Sequence, residues 1–163
     1  MDYEVKLESE RILYIKPTII YAKDCMKMVN DENVQKCISH NPMSATYESE
    51  VKWIESKIES NAELFFMIEK GTNEYIGSIE IKDIFNNIGE LGISITPKKQ
   101  DMHYGQEAIK RIIDYVFNDL KLDELELNVF DFNKRAIHTY EKCGFVMDGP
   151  GKEKGDHHMS IKK

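Results

Sequence analysis

The residues best placed to do chemistry gather at one turn. Gln100-Asp101-Met102-His103-Tyr104-Gly105 leads straight into an amphipathic helix. A helix N-terminus presents unpaired backbone N–H groups and the positive end of its dipole, so such a turn favours an anion such as a phosphate. Gly105 at the mouth of that helix lets backbone and ligand approach closely. An ordinary strand-to-helix turn has the same look, so the glycine alone does not decide the matter. The pairs Lys98-Lys99 and Lys134-Arg135 can meet phosphates, although solvated surface charge is the default for each. Metal chemistry is not expected. His157 and His158 are adjacent and face opposite ways in a strand, and His40, His103 and His138 lack any ligand spacing.

The elements around that turn are legible from periodicity. Residues 88–95 alternate, with Leu91, Ile93 and Ile95 on one face, and Pro97 closes the strand. Ala108, Ile109, Ile112, Ile113, Val116, Phe117 and Leu120 then recur at helical spacing. A strand over 125–130 follows, and after it a helix from about Asn133 that stops at Cys143-Gly144-Phe145. Upstream, 11–16 reads as a strand, and Thr18 caps a helix to about Asn30 with Ile19, Ala22, Met26 and Val29 inward. A short helix covers 31–39. Another starts at Tyr47, with Val51, Ile54 and Ile58 on its stripe, and Trp53 lies off it as a second packing contact or a wall of a pocket.

The strand over 64–69 turns at Gly71-Thr72-Asn73 into its hairpin partner over 75–82, and Asn86-Asn87 makes the next turn. The tail adds one or two strands around Gly149-Pro150-Gly151 and His157 to Ile161. These elements make an α/β (α+β) fold: a mixed, twisted, mostly antiparallel sheet with helices on both faces. The strand at Leu125 is expected to run parallel to the one at Ile88, because a crossover helix joins them.

The 163 residues suit a single domain, 41% hydrophobic and 31% charged, as in soluble globular proteins. A net charge of −7 argues against nucleic acid and leans toward cationic ligands such as amines. No apolar run reaches membrane-spanning length and the first residues carry no leader pattern. The three widely spaced cysteines, Cys25, Cys37 and Cys143, speak for a reducing cytoplasm.

The run Gln100-x-x-His103-x-Gly105-x-x-Ala108-Ile109 and the later Asn133-x-x-Ala136-x-x-x-Tyr140-x-x-x-Gly144-Phe145 resemble the GCN5-related N-acetyltransferases (GNAT). Within that superfamily the likeness is to the branch acting on ribosomal-protein N-termini, polyamines and small amines. One departure stands out. His103 occupies the position where the family has its first glycine; a histidine supplies an N–H equally well, but does not adopt positive φ cheaply and can crowd a pyrophosphate.

The resemblance implies transfer of acetyl from acetyl-CoA to a primary amine by direct attack in a ternary complex. It implies that the pantetheine arm lies in a gap where the parallel strands at Ile88 and Leu125 splay, bonded to backbone around Ile93, Ser94 and Ile95 and near Asn128. Gln100, Met102, His103, Tyr104, Gly105 and Gln106 then form the pyrophosphate turn, with Asn133, Arg135 and Ala136 beside the arm. A bulge at Gly89 or Gly92 would aim an N–H at the thioester carbonyl. Tyr140, by family position, is the candidate acid for the departing thiolate, with core packing as its other reading. Glu90, on the face opposite Leu91 and Ile93, is the candidate base or cation anchor for the acceptor, with a solvated strand position as its other reading. The remaining alternative is a non-catalytic acyl-CoA-binding or regulatory module on the same scaffold. A homodimer is compatible with either.

Overall fold

Among the described residues, short amphipathic stretches separated by Asn-, Gly- and Pro-bearing turns make eight strands and five α-helices. In chain order these are β1 (Val5–Glu8), β2 (Ile12–Ile15), α1 (Ala22–Asn30), α2 (Glu32–Ile38), α3 (Tyr47–Glu59), β3 (Glu63–Glu69), β4 (Tyr75–Phe85) and β5 (Ile88–Ile95). Then follow α4 (Tyr104–Asp114), β6 (Glu124–Phe130), α5 (Lys134–Lys142), β7 (Val146–Pro150) and β8 (Asp156–Lys162). The computed structural model describes residues 2–163. Its strands form one mixed sheet in the order β1-β2-β3-β4-β5-β6-β8-β7. The chain divides into two compact units, the first running to Glu80 and including Ile93–Tyr104, the second comprising Ile81–Gly92 and Gly105–Lys163.

In the first unit β2 pairs antiparallel with β3, Ile12 opposite Glu69 and Ile15 opposite Phe66. β3 is buried along Leu64, Phe65, Phe66, Met67 and Ile68, as its continuous apolar run demands. Helices α1 and α3 bring Ala22, Cys25, Met28 and Ile54 into one cluster with Ile15, Phe66, Ile68 and Tyr75. The Cys25 thiol lies 3.3 Å from the Tyr75 hydroxyl inside it. Trp53 packs against this cluster, the first of its two expected roles, with the Lys57 ammonium 5.8 Å from its ring.

Thr18 does cap the first helical segment, accepting from the Ile20 N–H. The inner face differs from expectation, however. Ala22, Cys25 and Met28 are buried, Met26 and Val29 only partly so, and Ile19 is half exposed. The cause is a 3₁₀ turn at Ile19–Tyr21 ahead of α1. Each 3₁₀ residue turns the chain about 20° further than an α residue, so three of them shift the stripe by about 60°.

The second unit holds the parallel pair. Ile88, Gly89 and Glu90 of β5 lie opposite Glu124, Leu125 and Glu126 of β6, and the pairing covers these three positions alone among the described residues. β6 continues to Phe130, paired along its other edge with β8 throughout. Asn86 and Asn87 both have positive φ (52° and 61°), the requirement of a two-residue type I′ hairpin turn. Against β6 the register at Gly89 is regular. A Cβ on Gly89 would come within 2.5 Å of an Ile81 methyl, which is why the position has none.

Helix α4 buries Ala108, Ile109 and Ile112, then widens into one π-helical turn at Tyr115–Asp119, where Leu120 N–H reaches Tyr115 C=O. Helix α5 starts on Asn133, whose side chain accepts from Ala136 N–H. It ends in a Schellman motif: Gly144 has φ +104°, its N–H bonds Glu141 C=O, and Phe145 N–H bonds Tyr140 C=O. The glycine is needed there because an L side chain resists that φ.

Candidate active site

The turn that opens α4 is held on every second residue. Gln100 donates from its side-chain amide to Ile95 C=O at 2.9 Å, and Arg11 donates to Met102 C=O at 2.9 Å. The Arg11 guanidinium also stacks on Tyr104, 4.1 Å from the ring centroid, while the Tyr104 hydroxyl donates to Glu69. Between these holds lie Asp101 and His103, with φ +61° and +64°. His103 therefore adopts the conformation that the glycine of the family pattern would supply, one that histidine tolerates better than most residues. Its side chain is exposed, as is that of Met102.

Glu69 is the hub of this region. Besides Tyr104 it receives the Thr72 hydroxyl at 2.8 Å and the Lys99 ammonium at 3.0 Å. These donors, Tyr104 first, hold its carboxyl down at about 2. Lys99 also reaches Glu74 at 2.8 Å, and that bond is the main reason its pKa is raised. Lys99 is thus committed to carboxylates, not held open for a phosphate. In the same unit Ser94 closes on β4: a Cβ on Gly77 would lie 1.9 Å from the Ser94 carbonyl oxygen, so only glycine fits. Ile93, Ser94 and Ile95 are themselves half-buried.

Gly105 and Gln106 belong to the second unit. A Cβ on Gly105 would meet nothing within 4 Å outside its chain neighbours and its own helix backbone, which fits a ligand that approaches the backbone. Gln106 C=O has the Cys143 sulfur 3.8 Å away, fastening the end of α5 to the start of α4. Tyr140 is half-buried on α5, its ring 5.8 Å from that of buried Phe145 at 59°. Ala136 is half-buried and Arg135 exposed on the same helix.

Glu90 is no solvated strand residue. It is buried and shared by two lysines, Lys152 at 2.8 Å and Lys82 at 3.7 Å. Its carboxylate is the main cause of the raised Lys152 pKa. Asn128 supports the same contact, since its side-chain oxygen accepts the Lys152 backbone N–H at 3.0 Å. Two of the anticipated residues, Glu90 and Asn128, are therefore joined through a lysine that had not been singled out.

On the same face, since Glu126 lies beside Glu90 in the ladder, stands a second polar group. His158 bonds Asp148 through Nδ1 and Glu126 through Nε2 (3.0 Å), and the Ser160 hydroxyl donates to Asp148 at 2.5 Å. Burial alone would lower the His158 pKa, but the bonds to Asp148 and Glu126 outweigh it and the net shift is upward.

Sequence relationships define the class. Residues 11–146 match the acetyltransferase (GNAT) domain family, and the chain belongs to it. It is an acetyl-CoA-dependent N-acetyltransferase, moving acetyl to an amine. A spermidine N(1)-acetyltransferase of Vibrio cholerae is 32% identical over 122 residues, 74% of this chain and 70% of the relative. Among solved structures, a GNAT-family acetyltransferase from Bacillus anthracis superposes with TM-score 0.84 at 22% identity, covering 96% and 97% of the two chains. The spermidine N-acetyltransferase of Vibrio cholerae, solved in complex with CoA and spermine, gives TM-score 0.84 at 24% identity over 94% and 96%. The described residues include no helix long and apolar enough to cross a membrane.

Proposed function

We propose that the acceptor is a polyamine-type cation bearing a primary amine, and that the two units work as one catalytic domain in the cytoplasm. The observation that carries the acceptor class is the likeness to a spermidine N(1)-acetyltransferase over 74% of the chain. A net charge of −7 and the buried carboxylate of Glu90 agree with it, because both favour an ammonium ligand. The family match crosses both units, which supports treating them as one domain. Three cysteines outside any disulfide suit a reducing compartment.

Acetyl-CoA supplies an acetyl group already activated as a thioester. The backbone amides of Met102, His103, Tyr104, Gly105 and Gln106 receive its pyrophosphate, with Gln100 fixing the entry to the turn. Backbone of Ile93, Ser94 and Ile95 and the β5-side edge of β6 beyond Glu126 bond the pantetheine arm as a strand would. Asn128 supports that edge. Asn133 bonds the arm while capping α5, with Arg135 and Ala136 alongside. Glu90 binds the acceptor's ammonium and draws off its proton, leaving a neutral nucleophile. Tyr140 donates to the departing thiolate, since a phenol of pKa about 10 can protonate a thiolate of pKa about 8.5 across a hydrogen bond.

The test is free-thiol release from acetyl-CoA across a panel of spermidine, spermine, monoamines, amino acids and peptides. Spermidine or spermine should be acetylated fastest; a peptide N-terminus preferred over both would overturn the acceptor class. Tyr140→Phe should cut turnover about 100-fold, the lower range for a positioned acid, while acetyl-CoA affinity holds. Full turnover in that variant would remove Tyr140 from the chemistry.

A further inference from the structure

We infer that Arg11 is a positioning residue for the co-substrate, aiming the backbone of the pyrophosphate turn from a site just ahead of β2, 91 residues away in the chain. The inference rests on the placement of the pyrophosphate at that turn. Arg11 is itself anchored: its carbonyl accepts Lys70 N–H at 2.9 Å, tying the entry of β2 to the end of β3. From there its guanidinium makes two different contacts on alternate residues of the turn, the Met102 carbonyl and the Tyr104 ring.

The consequence for the ligand follows from peptide geometry. In a trans peptide the C=O of one residue and the N–H of the next point in opposite directions. Arg11 draws Met102 C=O toward itself, so it turns His103 N–H the other way, out of the protein's own network. That orientation requires His103 to sit at φ +64°, a conformation an unconstrained histidine mostly avoids. A contact on Met102 and another on Tyr104 bracket the residue and hold it there. Glu69 completes the clamp from the far side of Tyr104, taking its hydroxyl and the Lys99 ammonium together.

A lysine at position 11 would not do the same work. Only a planar guanidinium can lie flat on a ring while donating sideways to a carbonyl. Arg11 touches neither substrate in this scheme; it acts through the turn.

The experiment uses the full chain with Arg11→Met, and Glu69→Gln as a second way to open the clamp. If the receptive turn then populates one conformer in ten, the Kd for CoA by calorimetry rises about tenfold, and the acetyl-CoA KM rises with it. The KM for spermidine should stay put in both variants. Arg11→Lys should behave like Arg11→Met. An unchanged CoA Kd, with Gly105→Val still weakening CoA, would overturn the clamp and leave the phosphate turn standing. Equal rises in the KM of both substrates would also overturn it, as the mark of general loosening. If Gly105→Val leaves CoA affinity intact as well, the placement of the pyrophosphate itself fails.

Discussion

The two charged regions of this enzyme hold their charges in different ways. Around the turn before α4, the central ionised groups have several fixed partners: Glu69 takes three side-chain donors and Lys99 bridges two carboxylates. On the strand face of the second unit the charges are adjustable. Glu90 divides itself between two lysines that are largely exposed, and a histidine stands between Asp148 and Glu126. Glu69 keeps its charge down to about pH 2, whereas His158 changes charge above its usual 6.5. Under the proposed placement of the two substrates, the difference fits what each region would handle. A co-substrate pyrophosphate is a permanent anion, best met by a frame that does not respond to pH. An acceptor amine has to lose a proton, and that calls for groups that can trade one.

The comparison would break first at Glu90. Glu90→Gln should lower kcat/KM for a cationic amine about 100-fold if the carboxylate takes the proton, with the deficit largest at low pH, where the amine is most fully protonated. Lys152 and Lys82 can return to water, so the fold should survive. A pH–rate profile of unaltered shape and height would take Glu90 out of the acceptor site.

Gly105→Val tests the opposite region. A Cβ added there meets nothing within 4 Å outside its chain neighbours and its own helix backbone, so unfolding temperature should change little. It would project toward the ligand, and the CoA Kd should rise about tenfold, or 1.4 kcal/mol. Equal affinity by calorimetry would move the phosphate elsewhere.

The smallest effect is a matter of stability. The His158 pKa is raised on folding, so its contribution is complete below the unfolded value near 6.5 and disappears as pH rises through the folded value. His158→Gln should flatten that part of the thermal stability profile by less than about 1 kcal/mol, as befits a partly exposed cluster. Glu69 has the opposite sign: its pKa is lowered, so its contribution is complete above about 4.5 and is lost as pH falls toward about 2. Above the usual 6.5, then, CoA affinity should stay level while stability drifts with His158. A CoA Kd that follows His158 would erase the distinction between the regions.

Local chemistry carried most of the fold. The Asn86-Asn87 turn, the Asn133 cap and the Gly144 stop each follow from what those residues do with their own backbone, and the structure has all three. The parallel pairing of β5 with β6 followed from the crossover helix. β1 escaped notice because four residues, three of them exposed, leave too short an alternation to read. The inner face of α1 was misphased because a 3₁₀ turn has no sequence mark distinct from an α turn.

The site divides along the same line. The turn 100–105 is contiguous and so could be seen, including its histidine where a glycine is expected. What governs it could not: Arg11 is 91 residues from Met102, and Lys152 is 62 from Glu90. A lysine or arginine among 22 gives no sign of which carbonyl or carboxylate it will meet. The left-handed conformation of His103 marks the local departure from the family pattern.

The contact between Cys25 and Tyr75 bears on how the enzyme coexists with its own product. Each turnover releases coenzyme A as a thiol, and a disulfide reagent used to count it also exchanges with protein thiolates in proportion to their content. Burial, more than any other cause, raises the Cys25 thiol to about 12, so at neutral pH only roughly one molecule in 10⁵ carries a thiolate there. Cys143 is shifted the same way by burial, whereas Cys37 lies exposed on α2. Such a reagent should therefore react at Cys37 and spare the core, and Cys37→Ser would give a protein whose thiol background stays low while its product is counted.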